Sequence, residues 1–204
     1  MTGTPAAADH TDGSVRGRVL RAATTLFAQK GFENTSVREI VDTAGVTKGG
    51  LYHYFGSKDD LLHEIYTTML RMQTRRMETI AASDLPLPHR LHAIVVDVVA
   101  TSVSHLDEAV VFFQSMHLLE PAKLAKVRAE RRHYHEQVRA LVEQGQRAGT
   151  FRADVPADLV VSHTFGAVHR LGLWYRKDGP LTGEQVGHHY ANLMIAGLLG
   201  DFAL

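Results

Sequence analysis

The stretch TKGGLYHYFGSKDDLL, residues 47–62, decides how the rest of the chain is read. It sets Tyr52, His53 and Tyr54 side by side directly after Gly49 and Gly50, a pair that weakens a helix. Three consecutive helical residues fan over more than half the circumference, so the three rings cannot all face one core. Leu51 and Phe55 lie one turn apart and mark the inward side, which leaves Tyr52 and His53 pointing outward. Thr47 stands where a helix would be capped. Ser57, with Asp60 three residues on, caps the next helix at the spacing of a capping box, with Asp in place of the usual Glu.

Upstream, TSVREIVDTAGV (residues 35–46) reads as a short helix capped by Thr35 or Ser36. Val37, Ile40 and Val41 form its apolar face and Gly45 its stop. A short turn then leads to the helix that begins at Thr47. This is the spacing of a helix-turn-helix, whose second helix enters the major groove of DNA. A preceding helix from Val15 to Lys30 supplies the third wall of a small core built on Leu26, Phe27, Phe32, Ile40 and Leu51. A recognition helix must approach the phosphates closely, and Gly49 has no side chain to hold it off. Thr47, at the positive end of the helix dipole, can donate to phosphate. Tyrosine offers a hydroxyl to phosphate and a ring face to sugar or thymine methyl. Lys58 opens the next helix, where a cation opposes the dipole, and a facing phosphate would account for it.

Bulk composition narrows the alternatives. The 204 residues are 45% hydrophobic, enough for a sizeable core. Lys+Arg and Asp+Glu each number 22, so nucleic acid must be met by a local patch and not by a uniformly basic coat. The absence of cysteine removes disulfide and thiolate chemistry and suits a reducing cytoplasm, the expected location. Residues 1–13 read as a disordered polar tail without the pattern of a signal peptide. The apolar run near the C-terminus is too short to cross a bilayer and is broken by Asp201, so no membrane role is expected.

Beyond Pro86 and Pro88 the apolar residues recur at helical spacing. Helices are expected over about 89–105, 107–119, 121–148, 157–176 and 182–199. The chain reads as all-α: a three-helix helix-turn-helix unit over 14–57, then a helical bundle over 58–204.

The segments LFAQKGFENTSV and LYHYFGSKDDL resemble the DNA-binding domain of the TetR family of bacterial transcriptional regulators, a likeness that covers roughly residues 14–62. The resemblance implies an N-terminal domain that binds double-stranded operator DNA and a C-terminal bundle that binds an effector and dimerises. Carried over position by position, it assigns phosphate contacts to Thr35 and Ser36, recognition-helix contacts to Thr47, Lys48, Gly49, Tyr52 and His53, and a phosphate-binding lysine to Lys58. The tail segment GTFRADVPADLV, with LWYRKDGPLTGEQ, is similar to repressors of lipid and steroid catabolism that respond to CoA thioesters.

In the bundle, Met69, Phe112, Phe113, Met116, His117, Tyr134, Phe165, His169 and Trp174 are the expected lining of a pocket for a small hydrophobic effector. For each histidine, an exposed or satisfied core position is the competing reading. Lys123, Lys126, Arg128, Arg131, Arg132 and Arg139 lie on one long helix, as a solvated face or as a rim for an anionic ligand. Small residues at Gly166, Gly172, Gly187, Ala191 and Gly197 suit a homodimer built on the last two helices. No enzyme is expected. Glu130–His133 is a lone E-x-x-H where a di-iron bundle needs two, no G-x-S-x-G elbow occurs, and neither a metal nor another cofactor is called for. The reading is a ligand-responsive regulator, most simply a repressor. An effector-independent DNA binder is the alternative, and a helical-bundle enzyme is the remoter one.

Overall fold

The computed structural model describes residues 13–200, so nearly all of the expected tail, and the last four residues with Asp201, lie outside the described residues. Among the described residues every regular element is helical. The order is α1 (Val15–Lys30), α2 (Val37–Ala44), α3 (Lys48–Tyr54), α4 (Lys58–Ala81), α5 (Leu87–Ser104), α6 (Leu106–Ser115), a 3-10 turn (Met116–Leu118), α7 (Pro121–Arg147), α8 (Ala157–His169), α9 (Leu171–Trp174) and α10 (Gly183–Leu199).

The helix starts are fixed by side chains that accept from otherwise orphaned backbone N–H groups. Ser14 accepts from Gly17, Thr47 from Gly50 and Ser57 from Asp60. Full capping boxes form at Ser36–Glu39 and at Thr182–Gln185. Gly45 ends α2 in the left-handed region (φ 63°, ψ 44°), a conformation open to glycine without steric penalty. That residue sets the turn from α2 into α3.

Two elements differ from expectation. The helix anticipated over 157–176 breaks at Arg170 and resumes for one turn as α9. The break turns Leu171 into the core and lays Gly172 against Val110 of α6, where a Cβ would come within 2.7 Å of Val110 Cγ2. The helix anticipated over 107–119 unwinds after Ser115 into the 3-10 turn, because Leu119 and Glu120 are already extended ahead of Pro121.

The side chains assemble into two cores. The first joins α1, α2, α3 and the first half of α4, through Leu70, with Ala109, Val111 and Phe112 of α6. The second joins Met77 of α4 with α5, α7, α8 and α10. Helix α4 therefore belongs to both, and α6 reaches from the bundle onto α1.

The closest helix pairing in the second core is α5 against α10. A Cβ on Gly187 would stand 2.9 Å from the Val96 carbonyl oxygen and 3.0 Å from its Cα, so the backbones touch there, whereas Gly197 faces open space. We expect Gly187→Ala to lower unfolding free energy by roughly 1–3 kcal/mol through overpacking. Gly197→Ala should leave it unchanged or raise it by up to about 1 kcal/mol through helix propensity. Urea unfolding of the two variants compares them directly.

Candidate functional site

Two regions gather the functional side chains. The first is the exposed face of α3. Leu51 is fully buried and Phe55 nearly so, which turns Tyr52 and Tyr54 out to 51% and 46% exposure. His53 is exposed beside them and meets Tyr54 edge-to-face at 4.8 Å. Thr47, Lys48 and Gly49 are also exposed, and a Cβ on Gly49 would meet nothing closer than 3.9 Å. The open backbone at Gly49 can therefore lie flat on a phosphate strand. Tyr54 belongs to the same exposed face and is absent from the sequence-derived set. Its neighbour Phe55 is the inward residue, so the helical phase could have included it.

The structure revises two of the assigned DNA contacts. Thr35 is buried, and its hydroxyl donates to the Gly31 carbonyl at 2.8 Å with the Leu26 carbonyl at 3.3 Å, so its side chain closes the α1–α2 corner. Lys58 turns inward. Its ammonium donates to the carbonyls of Phe32 (2.7 Å) and Thr35 (2.9 Å) and lies 4.3 Å from the Phe32 ring centroid. Burial lowers its pKa. Both residues position the reading helix; the cation that opposes the α4 dipole is held by two carbonyls of the preceding corner. Ser36 is exposed, but its hydroxyl is engaged in the capping box with Glu39, itself paired to Lys30 at 2.7 Å.

The second region is a cavity at the seam between the two cores. Leu70 and Phe112 come from the first core, and Val98, Tyr134, Phe165 and Val168 from the second. Gln73, Ser102, Phe113, Arg131, His135 and His169 complete the wall around a space of about 20 Å³, room for little more than one water. Of the expected lining, Phe112, Phe113, Tyr134, Phe165 and His169 converge here. Met69 lies on the other face of α4, in a wider open cleft of about 840 Å³ that α1, α4, α5 and α6 share. Met116 and His117 sit on the 3-10 turn away from the cavity, and Trp174 is half exposed on α9. The wall residues outside the expected set are Leu70, Gln73, Val98, Ser102, His135 and Val168, and Arg131, expected only as one cation of an α7 rim or solvated face, joins them. Its inward position follows from its phase with the buried stripe Val127, Tyr134, Val138 and Leu141.

The cations of α7 do not form one rim. Lys123 is paired with Asp59 and Asp60, and Arg139 lies near Glu143 (3.7 Å) and Asp158 (3.6 Å). Lys126, Arg128 and Arg132 face solvent, and only Arg131 points into the cavity. Its Nη2 is 3.1 Å from both ring nitrogens of His169, of which a neutral ring offers one as acceptor. His169 packs on Phe113 (4.3 Å) and His135 stacks on Phe165 (4.5 Å). Burial, then the nearby Arg131 charge, depress both histidines, His135 to about 4 and His169 to about 3. Both imidazoles are neutral at physiological pH.

Comparison with known proteins settles the class. The model for bacterial regulatory proteins of the tetR family matches residues 19–65, and that for the tetracyclin repressor-like C-terminal domain matches residues 84–198. The chain belongs to the TetR family. Its members are DNA-binding regulators of transcription, not enzymes. The transcriptional repressor KstR2 of Rhodococcus jostii (strain RHA1) is 31% identical over 198 residues, which span 96% of this chain and 97% of that protein. The solved structure of the ketosteroid transcriptional regulator KstR2 of Mycobacterium tuberculosis superposes with a TM-score of 0.86 at 28% identity, covering 94% of this chain and 98% of that one. AibR, solved in complex with isovaleryl coenzyme A and operator DNA, shares the fold (TM-score 0.79, 23% identity, 93% and 100% coverage). Among the described residues no helix is long and apolar enough to cross a membrane.

The buried imidazoles make stability depend on pH in a defined sense. A histidine whose folded pKa lies below its unfolded value of about 6.5 adds stability that is complete above that value and is lost as pH falls toward the folded pKa. The melting temperature should therefore drop between pH 7 and pH 5. His169→Gln, which cannot titrate, should flatten that dependence, as read by calorimetry across the interval.

Proposed function

We propose that this TetR-family regulator is a homodimeric repressor that leaves its operator when a hydrophobic effector, an acyl- or steroid-type CoA thioester, enters the seam cavity. The observation that carries the effector reading is the near-full-length likeness to KstR2, a ketosteroid regulator, together with a bundle cavity walled by aromatic side chains and a few polar ones. The DNA contacts are Thr47, Lys48, Gly49, Tyr52 and His53 on the exposed face, Ser36 at the start of α2, and Tyr54 in addition. Thr35 and Lys58 act behind them by fixing the corner on which α3 rests.

The dimer uses the outer faces of α8 and α10. Leu159, His163 and Gly166 recur at helical spacing on α8, as His189, Leu193 and Ala196 do on α10. Leu159 and Leu193 are 61% and 74% exposed, and Leu173, Trp174 and Leu199 extend the apolar surface. Exposed large apolar side chains on these helices are suited to self-association. Two-fold pairing there sets two α3 helices one DNA turn apart, about 34–36 Å.

Three measurements test these parts separately. Lys48→Ala removes one phosphate contact from each protomer of the dimer and should lower the slope of log K against log salt by about two units. Lys58→Met should leave that slope unchanged and lower the melting temperature, because its ammonium serves backbone carbonyls. A slope reduced equally by both variants returns Lys58 to the phosphate. For the dimer, Leu193→Glu should shift sedimentation from dimer to monomer and weaken operator binding by roughly tenfold or more through lost bivalency. For the effector, decanoyl-CoA, free CoA and decanoate are compared by thermal shift and by operator release. A thioester at a hundred times its dissociation constant stabilises the folded protein by about 2.7 kcal/mol. No shift and no release with any of them favours the effector-independent reading, consistent with a cavity of only about 20 Å³.

A further inference from the structure

Arg131 is a desolvated cation with no carboxylate. It projects from α7 into the seam cavity, and among the described residues no acidic oxygen lies within ion-pair distance of it. Its neighbour Glu130 points the other way, 3.5 Å from Arg71. The cavity wall offers the guanidinium only neutral partners: His169 at 3.1 Å, with His135, Gln73 and Ser102 nearby. Gln73 already donates to Thr101 (3.1 Å) and Ser102 (3.2 Å). A partly desolvated charge without a counter-charge is unfavourable, and an arginine carries its charge throughout the physiological range. Every other cation of α7 either reaches a carboxylate or stands in solvent. The planar fork of a guanidinium matches the two oxygens of a carboxylate.

We propose that Arg131 is the anchor for a carboxylate on the effector, so that the end of the ligand buried in the seam is an acid and its apolar body lies between Phe112, Phe113 and Phe165. This rests on the seam cavity being the effector site and names the chemistry of the buried end. The same group can come from a free hydrophobic acid or from the far end of a dicarboxylic acid whose other end carries CoA. Entry requires the wall to move. Helix α6 supplies Phe112 and Phe113 and loosens into a 3-10 turn directly after Ser115.

The test pairs ligands that differ only in that group: octanoate against octanamide, and the mono-CoA thioester of octanedioic acid against octanoyl-CoA. Each is titrated by thermal shift and by operator release into the wild type, Arg131→Met and Arg131→Lys. Met is unbranched, shorter and uncharged, so Arg131→Met should fold and melt no lower than wild type in the absence of ligand. The expected result is that at least one acid-bearing compound binds the wild type tenfold or more tightly than its partner. Arg131→Met should erase that difference, and Arg131→Lys should retain part of it. A preference for octanoate identifies the free acid as the source; a preference for the octanedioic thioester identifies the CoA-linked diacid. Equal binding by acid and partner, or a preference that survives Arg131→Met, overturns the inference. Octanoyl-CoA releasing DNA from all three proteins with no acid preference leaves the CoA reading standing and removes Arg131 from it. No response to any of the four compounds at millimolar concentration overturns this inference together with the seam-cavity reading.

Discussion

Helix α4 is a rigid rod shared by two cores, and the rest of the structure depends on that constraint. Its first half is buried with the helix-turn-helix unit through Leu61, Leu62, Ile65, Tyr66 and Leu70, and Met77 is buried with the bundle. At 1.5 Å per residue, Leu70 at the cavity wall is about 18 Å from Lys58 at the corner of the DNA-reading unit. Tyr66 ties the rod to α6, its hydroxyl standing 2.8 Å from the Val111 carbonyl and 2.7 Å from that of Phe112. Phe112 is itself cavity wall. A displacement of α6 by anything lodged in the seam therefore bears on α4 through a buried hydrogen bond and on α1 through packed side chains. Close-packed interiors transmit such a shift and do not absorb it.

The electrostatics of the two ends follow opposite rules. At the corner of the reading unit, cations are satisfied within the chain: Lys58 by carbonyls, Lys30 by Glu39, Lys123 by Asp59 and Asp60. These contacts fix geometry and leave α3 to present Lys48, Tyr52 and His53 to a phosphate surface. At the seam, Arg131 is left uncompensated and the two histidines beside it are held neutral. A site that carries such a burden in the folded state is of the kind in which function is retained at the expense of stability.

How much of this was legible in the sequence depends on how local the signal was. The caps at Thr47 and Ser57, the α2 cap narrowed to Thr35 or Ser36, the glycine turn at Gly45 and the inward pair Leu51 and Phe55 are set by neighbours within four residues. They could be read off directly. Resemblance makes Lys58 and Thr35 phosphate contacts; the acceptors they find in this structure, the carbonyls of Phe32, Thr35 and Gly31, belong to a corner whose closure is tertiary. The break at Arg170 has no proline to announce it and goes with the close approach of Gly172 to Val110, a tertiary contact. The cavity was half legible. Aromatic residues were chosen by type, which found Phe112, Phe113 and Phe165 but also Trp174, whereas helical phase would have brought in Arg131 and His135 and removed Met69.

The narrowness of the seam bears on how an effector could act. A preformed, roomy pocket would bind its ligand without altering the bundle, and equal affinity for two states shifts nothing however tight the binding. A space of about 20 Å³ would admit an effector only in a conformation in which its walls have moved apart. Affinity for that widened state is then differential by construction. Coupling of about 1–3 kcal/mol, typical between two sites, changes operator affinity by roughly 5- to 150-fold. On the proposed reading, a ligand that binds only the widened seam is one whose binding can be coupled to operator affinity.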